Sequence, residues 1–343
     1  GRTINLLTEL PALSSNIVID GTSQPGLPIG ISAAKVILYL DHYTSFPFTY
    51  LMISNASEVS ILGICFKYFN DPNNGGGEHY AIGLRNSNRI RIGSPGKGNL
   101  FMAVRASITN RFWNYSSDSI RDLTIQSNVI GFYGPSGTSA GGYVSLDRAR
   151  NITVGGPTPA EGNIILASME IFQSLYPNPE WFVRFQNNLM GTNGTFVYNL
   201  RTEVHLYGNN LDDSTVFRSF FQNNIFHGSN WYTAIGLTQI RHRSLIQGNL
   251  FGTDPGGINC IGQANDIGTY QCGYVLIGGD SPAEENIIGG DIYVGNDRVE
   301  VRKNKLRGKI VNPATQPDDP FIKILTYDNN LITGLANPGA RIQ

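Results

Sequence analysis

Arg91-Ile-Gly-Ser-Pro-Gly-Lys-Gly-Asn-Leu-Phe101, Val154-Gly-Gly-Pro-Thr-Pro-Ala-Glu-Gly-Asn-Ile-Ile165 and Ile277-Gly-Gly-Asp-Ser-Pro-Ala-Glu-Glu-Asn-Ile-Ile288 are versions of one phrase. Each gives an apolar strand, a turn rich in Gly and Pro, an asparagine, and a second apolar pair. A shorter phrase lies between them: Ile125-Gln-Ser-Asn-Val-Ile-Gly131, Phe185-Gln-Asn-Asn-Leu-Met-Gly191, Phe221-Gln-Asn-Asn-Ile-Phe226 and Leu245-Ile-Gln-Gly-Asn-Leu-Phe-Gly252. A strand, corner and strand that recur at long intervals mark a supersecondary unit stacked on itself, which is a solenoid.

Period-two alternation dominates, and no window of a dozen residues carries a helical period. The 40 glycines and 17 prolines supply the many corners that short strands require. The reading is all-β, as one solenoid domain of about ten to twelve rungs and roughly 50 Å of axis at ~4.8 Å per rung. A propeller would need a hairpin turn between every pair of strands, and Asn-Gly or Asp-Gly pairs are scarce. Asn99, Asn128, Asn163, Asn188, Asn224, Asn249 and Asn286 stand at the recurrent corner. In a parallel coil they stack, and each side-chain amide can donate to the carbonyl oxygen of the next. The alternative is that asparagine is there because it tolerates left-handed backbone at turns.

Together these phrases resemble the right-handed parallel β-helix of the pectate-lyase-like superfamily. Leu10-Pro-Ala-Leu-Ser-Ser-Asn-Ile-Val-Ile-Asp-Gly-Thr-Ser-Gln-Pro-Gly26 resembles the opening of β-helix regions in large secreted and surface proteins of gliding-type Bacteroidetes. The resemblance implies an extracellular or cell-surface location, with the type IX export machinery as a partner. It also implies a longer parent protein, with the β-helix over 1–325, an N-terminal cap at about 1–14, and an immunoglobulin-like module starting at 326–343.

Composition narrows the partners. With 25 basic against 26 acidic residues, no net field recruits nucleic acid, and no apolar run is long enough to insert directly into a membrane. An extracellular glycan or a surface protein remains. Trp113, Tyr115, Tyr176, Trp181, Trp231 and Tyr232 sit where the coil pattern is interrupted, so they are candidates for stacking on sugar rings, or else buried corner aromatics. Asp71 and Glu78 bracket a Gly- and Asn-rich loop with oxygen ligands for calcium, the one cofactor the sequence suggests; a plain surface loop is the alternative. Cys260 and Cys272 flank an insertion that a disulfide can close, or they are two free thiols.

Catalysis on such a scaffold needs convergent carboxylates or a base beside a neutralised uronate. Asp212-Asp213 and Asp318-Asp319 lie outside any recognisable hydrolase context, and no catalytic residue is identified. The expected function is a non-catalytic adhesive, interacting or spacing module. The alternative is a polysaccharide lyase or glycoside hydrolase.

Overall fold

The computed structural model describes residues 2–40, 48–68, 79–102, 106–111, 120–132, 142–172, 182–193, 202–208, 217–227, 233–253, 258, 265–295, 298–311, 322–328 and 331–336. Coiling builds three parallel sheets, here called A, B and C, of 11, 10 and 10 strands. One coil runs from a short strand of sheet A (Leu100–Met102) to sheet B (Ala106–Thr109), then sheet C (Ile120–Ile125), and back to sheet A (Val129–Phe132). The fold is the parallel β-helix solenoid, and among the described residues no helix is long and apolar enough to cross a membrane.

Alternation explains the strands. In Val204–Tyr207, Val204 and Leu206 are buried while His205 and Tyr207 are half-buried on the outside. Inward residues stack in register along the axis. Phe185 lies over Phe221 with ring centroids 5.1 Å apart, and Phe226 over Phe251 at 4.9 Å. Such in-register pairs follow from parallel pairing of Phe185 with Phe221 and of Phe226 with Phe251.

The asparagines occupy the corner from sheet C to sheet A, and all seven are buried. Each donates through Nδ2 to Oδ1 of the next: Asn99 to Asn128 (2.9 Å), Asn128 to Asn163 (3.1 Å), Asn163 to Asn188 (2.9 Å), Asn188 to Asn224 (2.9 Å), Asn224 to Asn249 (3.0 Å) and Asn249 to Asn286 (3.0 Å). Asn304 continues the line, accepting from Asn286 at 2.8 Å. The second Nδ2 hydrogen of each goes to a carbonyl such as Val154 O for Asn188. Left-handed backbone falls one residue earlier, at Ser127, Asn187, Asn223, Gly248 and Lys303, and on none of the ladder asparagines. Corners at Asn163 and Asn286 are longer and contain a 3-10 turn, Pro159–Glu161 or Pro282–Glu284, closed by a capping box.

At the start of the chain, the described residues 2–20 take part in the sheets. Arg2–Asn5 pairs in parallel with Val36–Leu40, Leu13 bridges Ile53, and Val18–Asp20 pairs with Ser57–Leu62. Ile4, Leu13 and Ile19 align with the buried Leu38, Ile53 and Ile61, so this segment alternates as a coil and lies down as the first one. At the other end, the last described helix strand is Ile310–Val311, while Ile322–Asp328 and Leu331–Ala336 pair antiparallel with each other. A boundary at 325 therefore falls inside a hairpin strand.

Candidate functional site

The outer face of sheet B carries the densest group of chemically versatile side chains among the described residues. Its strands put Glu170 and Phe172 in register with His205 and Tyr207, which align with Gly236 and Thr238, then with Gly268 and Tyr270. Inward residues at the intervening positions, Ile171, Val204, Leu206, Ile235, Leu237 and Ile267, are buried and fix which side faces out.

Phe172 and Tyr207 stack with centroids 4.5 Å apart and planes within 7°. The guanidinium of Arg111 lies 3.9 Å from the Phe172 ring, with one nitrogen 3.9 Å from a Glu170 carboxylate oxygen. Arg111 thus caps an aromatic stack while its other donors face solvent. Tyr207 Oη is 3.3 Å from His205 Nδ1, and Nε2 of the same ring is 3.2 Å from Oε2 of the buried Glu203. Hydroxyl, imidazole and carboxylate come from alternate residues of one stretch, and of the three only Glu203 is fully buried.

Beside this group Gly236 is buried beneath the His205 ring. Gly236 has no room for a side chain, since an added Cβ would sit 2.6 Å from the His205 ring, which lies flat across it. Gly268 follows on the next rung. Tyr270, 54% exposed, stands two rungs from Tyr207 in the same column, about 10 Å away at ~4.8 Å per rung, with Thr238 between. The result is a low floor between two tyrosines.

Most of the sequence-derived site candidates fall outside the described residues. Trp113, Tyr115, Tyr176, Trp181, Trp231 and Tyr232 lie outside the described residues, in segments that connect to strands of sheet B. Asp71, Glu78, Cys260, Asp212-Asp213 and Asp318-Asp319 also lie outside them. Cys272 is described, with Sγ 3.3 Å from Leu237 O. No cluster of three metal-binding side chains occurs among the described residues. Sequence reasoning did not find Arg111, Glu170, Phe172, Glu203, His205 and Tyr207. The available signal was a polar or aromatic residue at both outward positions of Met169-Glu-Ile-Phe172 and Val204-His-Leu-Tyr207.

Other titratable groups are structural. His242 is buried with Nε2 2.7 Å from Ser219 Oγ, and burial, with Arg218 nearby, pushes its pKa down to about 3. Its neighbour Arg241 is exposed and Arg243 lies over the Tyr274 ring, so the basic trio is split between faces.

No protein-family model matches the chain, and no curated protein matches it. Among solved structures the chain is similar to PfbA, a surface adhesin of Streptococcus pneumoniae, at 13% identity, covering 98% of this chain and 85% of that one, with a TM-score of 0.33.

Proposed function

We propose that the chain is a non-catalytic, extracellular β-helical binding module whose ligand, a glycan chain, lies along the outer face of sheet B. The observation that carries this reading is the low stretch of Thr238 and Gly268 beside Tyr207 and Tyr270, bordered by Arg111, Glu170 and the His205 ring that covers Gly236. Aromatic side chains offer apolar faces to sugar rings, and the charged border supplies directed hydrogen bonds at little net field. The solenoid holds both tyrosines on rigid strands rather than on loops. Surface display through type IX export, within a longer protein whose next module starts near the terminal hairpin, is part of the proposal and rests on the sequence phrases alone.

The test is native affinity electrophoresis of the purified chain in gels holding neutral or acidic polysaccharides. Retardation by at least one polysaccharide, weakened about tenfold by Tyr207→Ala or Tyr270→Ala, is the expected outcome. Equal mobility in every gel sinks the reading.

One observation favours a second reading, an eliminative lyase: the Tyr207–His205–Glu203 line. Here Tyr207 passes its proton to His205 Nδ1, with the Glu203 carboxylate 3.2 Å from Nε2. The phenolate then takes the proton beside a uronate carboxylate that Arg111 neutralises. As that C–H bond breaks, a C=C bond forms, the glycosidic C–O bond breaks, and the leaving oxygen takes the proton that His205 held, which restores both side chains. Growth of unsaturated-product absorbance with a uronate polymer, abolished by Tyr207→Phe, would establish this second reading in place of the first.

A further inference from the structure

Each strand of sheet A in the later coils contributes two residues, of which the second points inward, leaving one outward side chain per coil. Read along the axis, the outward residues are Ile37, Cys65, Leu100, Val129, Ile164, Leu189, Ile225, Leu250 and Ile287, each in register with the next. The line ends at the exposed Lys305, which is ion-paired with Glu285 at 3.3 Å. Solvent-facing positions of a sheet are ordinarily polar, so an unbroken column of aliphatic residues needs a cover.

The first half of the column has one, supplied by the chain itself. Cys65, Leu100 and Val129 are buried in a cluster with Ala34, and Ile29, Ile37 and Ile164 pack against it. The covering loop is closed by Ile29 N–H to Ala34 O at 2.8 Å, and by Ser32, whose N–H and Oγ both donate to Ile29 O at 3.3 and 2.7 Å. At Gly30 an added Cβ would lie 3.8 Å from Leu100, so the loop sits in contact with the column. Past Val129 the column is no longer fully buried. Ile164, Leu189, Ile225, Leu250 and Ile287 are half-buried, a strip about 19 Å long at ~4.8 Å per coil.

We propose that the column from Ile164 to Ile287 is a docking groove for a short aliphatic segment of a partner polypeptide, which seats there as Ile29–Ala34 seats on the first half. Continuity with that internal contact defines the chemistry of the occupant: branched aliphatic side chains on a backbone closed by its own turn hydrogen bonds. Half-buried side chains on one column offer far less than the ~800 Å² per partner of a standard protein interface, which fits a linear segment and not a second copy of the chain. The groove is separate from the sheet B face and does not depend on its ligand.

The probe is a synthetic peptide with the sequence of residues 27–35, Leu-Pro-Ile-Gly-Ile-Ser-Ala-Ala-Lys, titrated into the full chain carrying labelled Ile and Leu methyl groups. Shifts are expected at Ile164, Leu189, Ile225, Leu250 and Ile287. They should weaken at least about tenfold when serine replaces both isoleucines of the peptide, or in the Leu189→Gln, Ile225→Gln chain. The serine peptide keeps the test valid if the double variant misfolds. No shift at millimolar peptide, equal binding of the serine peptide, or shifts scattered over other faces would overturn the proposal.

Discussion

Replacing Asn188 by alanine probes the element that the sequence repeats most insistently. Its side chain accepts from Asn163 N–H at 3.1 Å and from Asn163 Nδ2 at 2.9 Å, and donates to Val154 O and Asn224 Oδ1, both at 2.9 Å. Asn224 Oδ1 keeps a second donor, the Asn188 backbone N–H at 3.0 Å. The Asn163 N–H, one Asn163 amide hydrogen and the Val154 carbonyl each lose the bond they made to Asn188 in a corner closed to water. At about 1–3 kcal/mol for each buried polar group left unsatisfied, the loss comes to roughly 3–9 kcal/mol. The same deletion at Asn304, which is only half-buried, leaves its partners within reach of solvent and should cost about 1–2 kcal/mol. Urea unfolding followed by circular dichroism reads both, provided the slope of the transition is unchanged. A loss below about 1 kcal/mol at Asn188, or equal losses at the two sites, would refute the claim that the ladder holds the corner together.

Asp266 yields a pH prediction. Its carboxyl is fully buried, Gly290 N–H donates to Oδ2, and Oδ1 has no hydrogen-bond partner among the described residues; burial, with Asp291 nearby, pushes the pKa up to about 7. A folded pKa above the unfolded one means that the contribution to stability is complete below about pH 4 and is lost as pH rises through about 7, by about 4 kcal/mol in all. Asp266→Asn should therefore raise the melting temperature at neutral pH and flatten its pH dependence; an unchanged profile between acid and neutral pH would count against the assignment. Gly155→Ala tests the long corner, where φ is +81° and an added Cβ would lie 1.9 Å from Gln186 O. A clear drop in melting temperature is expected, and a neutral effect would mean that this corner is not closed as described.

How far the sequence was legible depends on how local each feature is. The corner phrases repeat because each one makes the same turn and the same ladder bonds, so Asn99 through Asn286 can be picked out by eye. Asn304 escapes notice because Lys305 stands where the phrase has an apolar residue. The first coil is less legible: its corner at residues 21–35 has no asparagine and residues 1–14 read as a cap, although Ile4 and Ile19 pair with the inward Leu38 and Ile61. The sheet B face is the least legible part. Arg111, Glu170, Phe172, Glu203, His205 and Tyr207 come from coils whose connecting segments differ in length, so no fixed spacing links them. Only the stacking of coils makes Phe172 a neighbour of Tyr207.

The most direct test of the central claim is a crystal structure of the chain with an oligosaccharide taken from the best-retarding polysaccharide. The account predicts sugar density over Thr238 and Gly268, in contact with Tyr207 and Tyr270. Density confined to another face, with this floor left bare at saturating ligand, would contradict it.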